Sequence, residues 1–137
     1  MRRWLFKEEP DHYSFDDLER DGGTLWDGVS NNLALQNLRQ VRRGDRVWFY
    51  HTGKEKAVVG EMKVVAGPVP DPDGREARLV AVEVRPVRRL QHTVSLARIK
   101  ADSLLADWEL VRLPRLSVLP VTDQQWQRVE ELSREPA

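Results

Sequence analysis

The stretch RVWFYHT, residues 46–52, decides the fold class of this chain. It is rich in aromatic and β-branched residues, which favour extended structure, and it therefore predicts a β-strand. Side chains alternate between the two faces of a strand. Trp48 and Tyr50 are thus expected on one face, and Phe49 and His51 on the other.

Further strands are predicted on both sides of this stretch. They are expected at residues 2–6, 57–67, 78–87 and 116–121. Gly60 is expected to form a bulge within its strand, and Pro86 to mark a strand end or an edge position. The segment PVPDPDG, residues 68–74, has the composition of a turn-rich loop.

Short helices are expected between and after these strands. The predicted segments are 14–23, 33–41, 95–102 and a C-terminal helix that follows Thr122. Ser14 with Asp17, and Thr122 with Gln125, have the spacing of a capping box. The pattern as a whole predicts one α+β domain over residues 1–137, with a curled or closed, mostly antiparallel sheet and short helices around it.

Composition narrows the classes of function. The 137 residues have a formal net charge of zero, no cysteine and five tryptophans. Thiol chemistry, disulfides and cysteine-ligated metals are therefore excluded, and no global positive field attracts nucleic acid. No apolar run is long enough to cross a membrane, and the N-terminal segment is too short for a signal peptide, so we expect a cytoplasmic protein.

Catalytic motifs are absent from the sequence. The three histidines, His12, His51 and His92, are far apart and lack a metal-binding spacing. There is no GxSxG elbow and no phosphate-binding glycine loop. We therefore expect no metal, no cofactor and no enzymatic activity.

The segment WDGVSNNLALQNL, residues 26–38, is the most informative for binding. Trp26 precedes a turn and two asparagines, and asparagine is favoured at the start of a helix, where its amide caps backbone donors. A ring beside free N–H groups suits a flat, acceptor-rich object such as a nucleobase. Packing of these residues in the core is the alternative explanation.

Six stretches, in order along almost the whole chain, resemble the EVE domain, a PUA-like family related to the YTH domains. They are WLFKEEP (4–10), YSFDDLERDG (13–22), WDGVSNNLALQNLR (26–39), GDRVWFYHTG (44–53), VVGEMKVV (58–65) and LVRLPRLSVLPVTDQQW (110–126). The resemblance implies a curled β-barrel flanked by helices. It also implies a non-catalytic module that recognises a modified base in nucleic acid, modified cytosine in DNA among them, with a modified base in RNA as the other possibility.

The resemblance also assigns a single base-binding pocket to particular residues. They are Lys7, Glu8, Trp26, Gly28, Val29, Asn31, Tyr50, His51, Arg115, Leu116, Ser117 and Val118. Two departures from the family pattern stand out. Ser30 replaces a common arginine, and Glu8 replaces a common serine, where its carboxylate would repel an anion or accept a hydrogen bond from an exocyclic amino group.

Two clusters of arginines are expected to contact the phosphate backbone. They consist of Arg39, Arg42 and Arg43, and of Arg85, Arg88 and Arg89. An ordinary solvated surface is the alternative for these clusters. A second possible function also stays open, a sensor that binds a free nucleoside, nucleotide or other planar metabolite in the same pocket. Oligomeric state is not predicted.

Overall fold

The computed structural model describes residues 1–74 and 76–136. The described residues form six strands and five helices. The strands are β1 (Arg3–Glu8), β2 (Thr24–Trp26), β3 (Arg46–His51), β4 (Ala57–Pro70), β5 (Val80–Ser95) and β6 (Val118–Val121). The helices are α1 (Phe15–Asp21), α2 (Asn32–Gln40), α3 (Leu96–Ala101), α4 (Glu109–Arg112) and α5 (Asp123–Ser133).

All six strands belong to one sheet, in the order β2-β5-β4-β3-β1-β6. Neighbouring strands are antiparallel except β1 and β3, which run parallel. A parallel pair needs a long crossover connection, and residues 9–45, with α1, β2 and α2, provide it. The α+β class and the curled sheet are confirmed. The ladder of hydrogen bonds has free ends at β2 and β6, however, so the sheet does not close into a complete barrel.

The core occupies both faces of the sheet around β3. On one face, Phe49 packs edge-on against Trp26 and Phe15, with ring centroids 5.3 and 5.5 Å apart. On the other face, Trp48 stacks on Trp126 of α5 at 3.8 Å. Trp48 and Phe49 are adjacent in one strand, so the predicted alternation places them on opposite faces. Residues Val47 to His51 are all buried, because helices and loops cover both faces.

The boundaries of several elements differ from the predicted ones. The prediction that a strand ends at Pro86 was wrong, because β5 continues to Ser95. The alternative, an edge position, is correct. The outer partner β2 pairs only with Val82 to Val84, so the missing N–H of Pro86 interrupts no pairing on that side. Strand β4 extends through Pro70 into the predicted loop, and both β2 and α4 were not predicted.

The capping predictions are confirmed. Ser14 accepts a hydrogen bond from the Asp17 N–H, and the Asp17 carboxylate accepts one from the Ser14 N–H. Thr122 and Gln125 make the same reciprocal pair at the start of α5. The register of β4 shifts at Gly60, as expected for a bulge. Gly60 faces Phe15, and this close approach seats α1 against the sheet.

Candidate nucleic-acid interface

A small cleft lies between the end of β1, the connection to α1, and β2. We call it the aromatic cleft, and its volume is about 110 Å³. Its lining residues are Glu8, His12, Tyr13, Thr24, Leu25, Trp26 and Asp27. Two of the predicted pocket residues, Glu8 and Trp26, therefore share this cleft.

Trp26 forms the floor of the aromatic cleft and is not an open platform. Only 5% of the residue is exposed. Its ring packs against Phe6 and Phe49, with centroids 5.4 and 5.3 Å away. Trp26 therefore packs in the core, as the alternative explanation held, and its ring also lines the cleft. Tyr13 and His12 provide additional rings at the walls.

Carboxylates give the aromatic cleft an acidic character. Glu8 Oε1 accepts a hydrogen bond from the Glu9 N–H at 3.0 Å and lies 3.1 Å from His12 Nδ1. Glu8 Oε2 accepts no hydrogen bond from a residue that the structure describes. Desolvation by neighbouring protein, followed by the charges of Asp71 and Asp73, raises the pKa of Asp27. A ligand with amino groups would offset this concentration of negative charge.

The turn after Trp26 is held in place by Asp71. Gly28 has φ +72°, and its N–H donates to Asp71 Oδ2 at 3.0 Å. Asp71 is 9% exposed and also accepts from the Asp73 N–H. The Gly28 N–H is thus already used within the protein, and Val29 is buried. The Gly28 N–H is therefore not free to contact a base, although the resemblance places Gly28 in the pocket.

A second group of predicted residues lies at a separate opening, which we call the apolar cleft. Its volume is about 330 Å³. The lining residues are Asn31, Leu33, Arg112, Leu113, Pro114, Arg115 and Leu116. Asn31 is the N-cap of α2, as predicted, and its Oδ1 accepts from the Ala34 N–H at 3.0 Å. Segment 26–31 thus runs from one cleft to the other.

Lys7 and Tyr50 lie on the opposite face of the sheet from Glu8. Neighbouring residues of a strand point to opposite faces, and Lys7 pairs in register with Tyr50. The Lys7 Nζ donates to the Pro114 carbonyl at 2.9 Å and lies 5.6 Å from the centre of the Tyr50 ring. Burial lowers the pKa of Lys7 to about 8 and raises that of Tyr50 to about 12.

The remaining predicted pocket residues are occupied by contacts within the fold. His51 accepts from the Phe15 N–H through Nε2 at 3.1 Å, and its Nδ1 lies 2.7 Å from Glu55 Oε1. It therefore anchors the start of α1. The Ser117 carbonyl accepts from the Lys7 N–H, and Val118 is fully buried in β6. The single pocket expected from the resemblance is thus divided into two clefts and a set of packing residues.

The predicted phosphate-contacting arginines differ in their surroundings. Arg88 forms ion pairs with Glu61 and Glu130, and Arg89 with Asp16 and Glu19. Arg39 donates to the Arg78 carbonyl, and Arg42 to the Arg39 and Val41 carbonyls. Arg43 and Arg85 line a third cleft.

Another opening lies beside α5 and is larger than the aromatic cleft. Most of the side chains that line it form ion pairs with one another, so we do not assign a base-binding site to it. In residues 1–74 and 76–136, no three His, Asp or Glu side chains are grouped so that they could hold a metal ion. None of the helices in that part of the chain is long and apolar enough to cross a membrane.

Several residues of the site, Thr24 and Leu25 among them, were missed from the sequence. His12, Tyr13 and Asp27 lie within or beside the KEEP and WDGV stretches, so proximity to these motifs was an available signal. Asp71 lies in a turn-rich loop, and its contact with Gly28 is 43 residues away along the chain. No local pattern predicts such a contact.

Comparison with known proteins agrees with this architecture. The family model of the EVE domain matches residues 2–132, and the chain belongs to this family. Thymocyte nuclear protein 1 of Homo sapiens is 29% identical over 98% of this chain and 75% of its own length.

Two solved structures show the same fold. The NMR structure of Rpa0253 from Rhodopseudomonas palustris is 35% identical, with a TM-score of 0.93 over 98% of this chain and 94% of that one. The crystal structure of the human THYN1 protein in complex with 5-methylcytosine-containing DNA is 28% identical. Its TM-score is 0.91 over 98% of this chain and 99% of that chain.

Proposed function

We propose that this protein is a non-catalytic module that binds DNA containing 5-methylcytosine, with the modified base in the aromatic cleft. The observation that most supports the proposal is the shared fold, over nearly the full length of both chains, with a relative whose structure contains such DNA. The chemistry of the aromatic cleft supports it independently.

The size of the aromatic cleft suits one base. Pockets that enclose a whole drug-sized ligand have volumes of roughly 300–1,000 Å³. The aromatic cleft, at about 110 Å³, is smaller and open to solvent on one side. A pyrimidine ring that is rotated out of the duplex would enter it, while its sugar and phosphates stay outside.

The carboxylates of the cleft favour cytosine over thymine. Cytosine presents an N4 amino group, and Asp and Glu carboxylates accept hydrogen bonds from it. Thymine presents an O4 acceptor at the same position. Glu8 Oε2 and the Asp27 carboxylate are the acceptors that we assign to this amino group. A thymine O4 would face the same carboxylates and be repelled.

The 5-methyl group contributes by burial against the rings of the cleft. Burial of one CH₂ or CH₃ contributes about 0.8 kcal/mol, which corresponds to a preference of about fourfold over unmodified cytosine. A larger preference would require contacts with the rest of the base.

Fluorescence anisotropy with matched duplexes tests the proposal. The duplexes carry 5-methylcytosine or cytosine opposite guanine, or thymine opposite adenine, at one position, so that every duplex is fully paired. We expect the order 5-methylcytosine, cytosine, thymine for the wild-type protein. In Asp27→Asn, the discrimination between cytosine and thymine should fall by roughly tenfold, because a good base contact is worth about 1–3 kcal/mol. Asp107→Asn, a carboxylate outside the cleft, is the matched control.

Three outcomes would contradict the proposal. Equal binding of all three duplexes would show that the protein does not distinguish the base. Preference for an RNA with the same modification would assign the cleft to RNA. Binding of 5-methylcytidine as the free nucleoside, as tightly as the DNA, would favour the sensor.

A further inference from the structure

A third cleft, which we call the basic cleft, lies where β3 begins and where β4 pairs with β5. Its volume is about 370 Å³. Arg43, Lys63 and Arg85 line it, together with the carboxylate of Glu83. Three cations and one carboxylate leave two excess positive charges in a protein whose formal net charge is zero.

In the part of the chain that the structure describes, the cations of the basic cleft have no internal partner, unlike the arginines around them. The engaged arginines are Arg46, Arg88 and Arg89, in ion pairs, and Arg39 and Arg42, on backbone carbonyls. Among the residues described by the structure, none accepts a hydrogen bond from the side chain of Arg43, Lys63 or Arg85. Their donors are therefore available to an external anion at no cost of breaking an internal pair.

The pairing of β4 with β5 and the turn at Gly44 bring these three cations together, although their charges repel. Lys63 and Arg85 are direct partners in the β4–β5 ladder, where like charges opposite each other are unfavourable. Arg43 reaches the same point through the turn at Gly44, whose N–H donates to the Val64 carbonyl. An arrangement that costs free energy in the isolated protein is expected where an anion compensates for it.

The basic cleft and the aromatic cleft lie on the two sides of the edge strand β2, because Arg85 is beside Gly23 on one face and Val84 pairs with Thr24 on the other. Arg85 Cγ lies 3.2 Å from the position that a Cβ on Gly23 would occupy. Thr24, the next residue, already lines the aromatic cleft. Trp26 is three positions after Gly23 in extended chain, about 10 Å at a rise of about 3.3 Å per residue. A DNA strand that passes around the edge of the sheet at β2 would therefore place a base in the aromatic cleft and its phosphates near the basic cleft.

We propose that Arg43, Lys63 and Arg85 form the binding site for the phosphodiester backbone of the DNA strand whose base enters the aromatic cleft. This inference rests on the proposed function. It assigns Lys63 a role that the sequence did not indicate, and it removes Arg88 and Arg89 from the interface. Contacts of this kind set orientation and affinity without distinguishing bases.

The salt dependence of DNA binding tests the inference. Each neutralised phosphate contributes a slope of about −0.9 in log K against log salt concentration, so three contacts contribute about −2.7. For the variant with Arg43→Ala, Lys63→Ala and Arg85→Ala, we expect the slope to be reduced by about this amount. Its affinity for methylated and unmethylated duplexes should fall by the same factor.

Two further variants make the test specific. Lys100→Ala removes an exposed lysine on α3 and is the control for the lysine substitution in the triple variant. We expect it to leave the slope of log K against log salt concentration unchanged. Glu83→Gln removes the one carboxylate of the basic cleft, and we expect it to tighten binding of every duplex. Thermal melting checks that each variant is folded.

The outcomes separate this inference from the proposed function. A wild-type protein that distinguishes 5-methylcytosine, with a triple variant of unchanged slope, overturns the basic cleft alone. A loss confined to the methylated duplex also overturns it, because the cleft would then contact the base. A wild-type protein that binds no DNA overturns the proposed function first.

Discussion

Lys7 carries an amine at a partly buried position, and this makes stability depend on pH in an unusual direction. Burial lowers its pKa from 10.5 to about 8 in the folded protein. Between these two values the unfolded chain holds a proton that the folded protein has released, so the free energy of unfolding rises with pH. The destabilising contribution is fully present below pH 8 and disappears as the pH increases.

Urea denaturation at a series of pH values measures this effect. We expect wild-type stability to increase from about pH 8 to pH 10, and Lys7→Met to lack the increase. Above pH 10 an opposing effect begins, because burial raises the pKa of Tyr50 to about 12 and the unfolded chain ionises first. If the variant shows the same increase as the wild type, Lys7 is not its source.

Individual residues were predictable from the sequence where their role is local. Asn31 caps α2 as its position at a helix start indicated. His51 was assigned to a pocket, but its Nε2 holds the Phe15 N–H, 36 residues away along the chain. The burial of Trp26 likewise depends on Phe6 and Phe49, which reach it through the sheet. Such roles are set by tertiary contacts.

The contact between α1 and β4 gives a prediction about elements. A Cβ on Gly60 would lie 2.4 Å from Cε1 of Phe15, whose ring is fully buried. Gly60→Ala must therefore displace the helix or the strand, and we expect it to lower the free energy of unfolding by about 1–3 kcal/mol. Chemical denaturation gives the value.

A double-mutant cycle identifies the cause. Phe15→Leu replaces the ring by a smaller aliphatic side chain, so Gly60→Ala should cost less in its presence than in the wild type. Additive losses in the double variant would mean that the glycine is needed for the backbone of the bulge and not for the space it leaves.

Elements with a local signal were easier to predict than those without one. Helices α1 and α5 have capping boxes in the sequence, and both begin within one residue of the predicted start. Strand β2 has three residues and forms because its backbone pairs with the free edge of β5. The length of β5 was underestimated because Pro86 is a strand breaker only where its N–H is needed. Neighbouring strands decide that, and a single segment does not reveal them.

At the scale of the whole molecule, the formal net charge is zero, but individual arginines have different roles. Arg88 donates through Nε to Glu61 Oε1 at 2.9 Å and also pairs with Glu130. Glu61 is only 3% exposed and has Arg46 as its other partner. Because a buried carboxylate needs its partners, Arg88 contributes to stability, in contrast to Arg85, which has no ion pair with any residue that the structure describes.

Arg88→Ala and Arg85→Ala should therefore change different properties. The first should affect the stability of the protein, and the second its affinity for DNA. We expect Arg88→Ala to lower the free energy of unfolding by about 1–3 kcal/mol, less than for a fully broken buried pair because Arg46 remains. Its affinity for DNA should be unchanged. Arg85→Ala should keep its stability within about 0.5 kcal/mol of the wild type, as is usual for a surface substitution, and bind all DNA more weakly. Denaturation and anisotropy on the same preparations measure both effects. If Arg88→Ala weakened DNA binding without loss of stability, the ion pairs with Glu61 and Glu130 would not hold it in solution, and the phosphate surface would extend across β5 to α5.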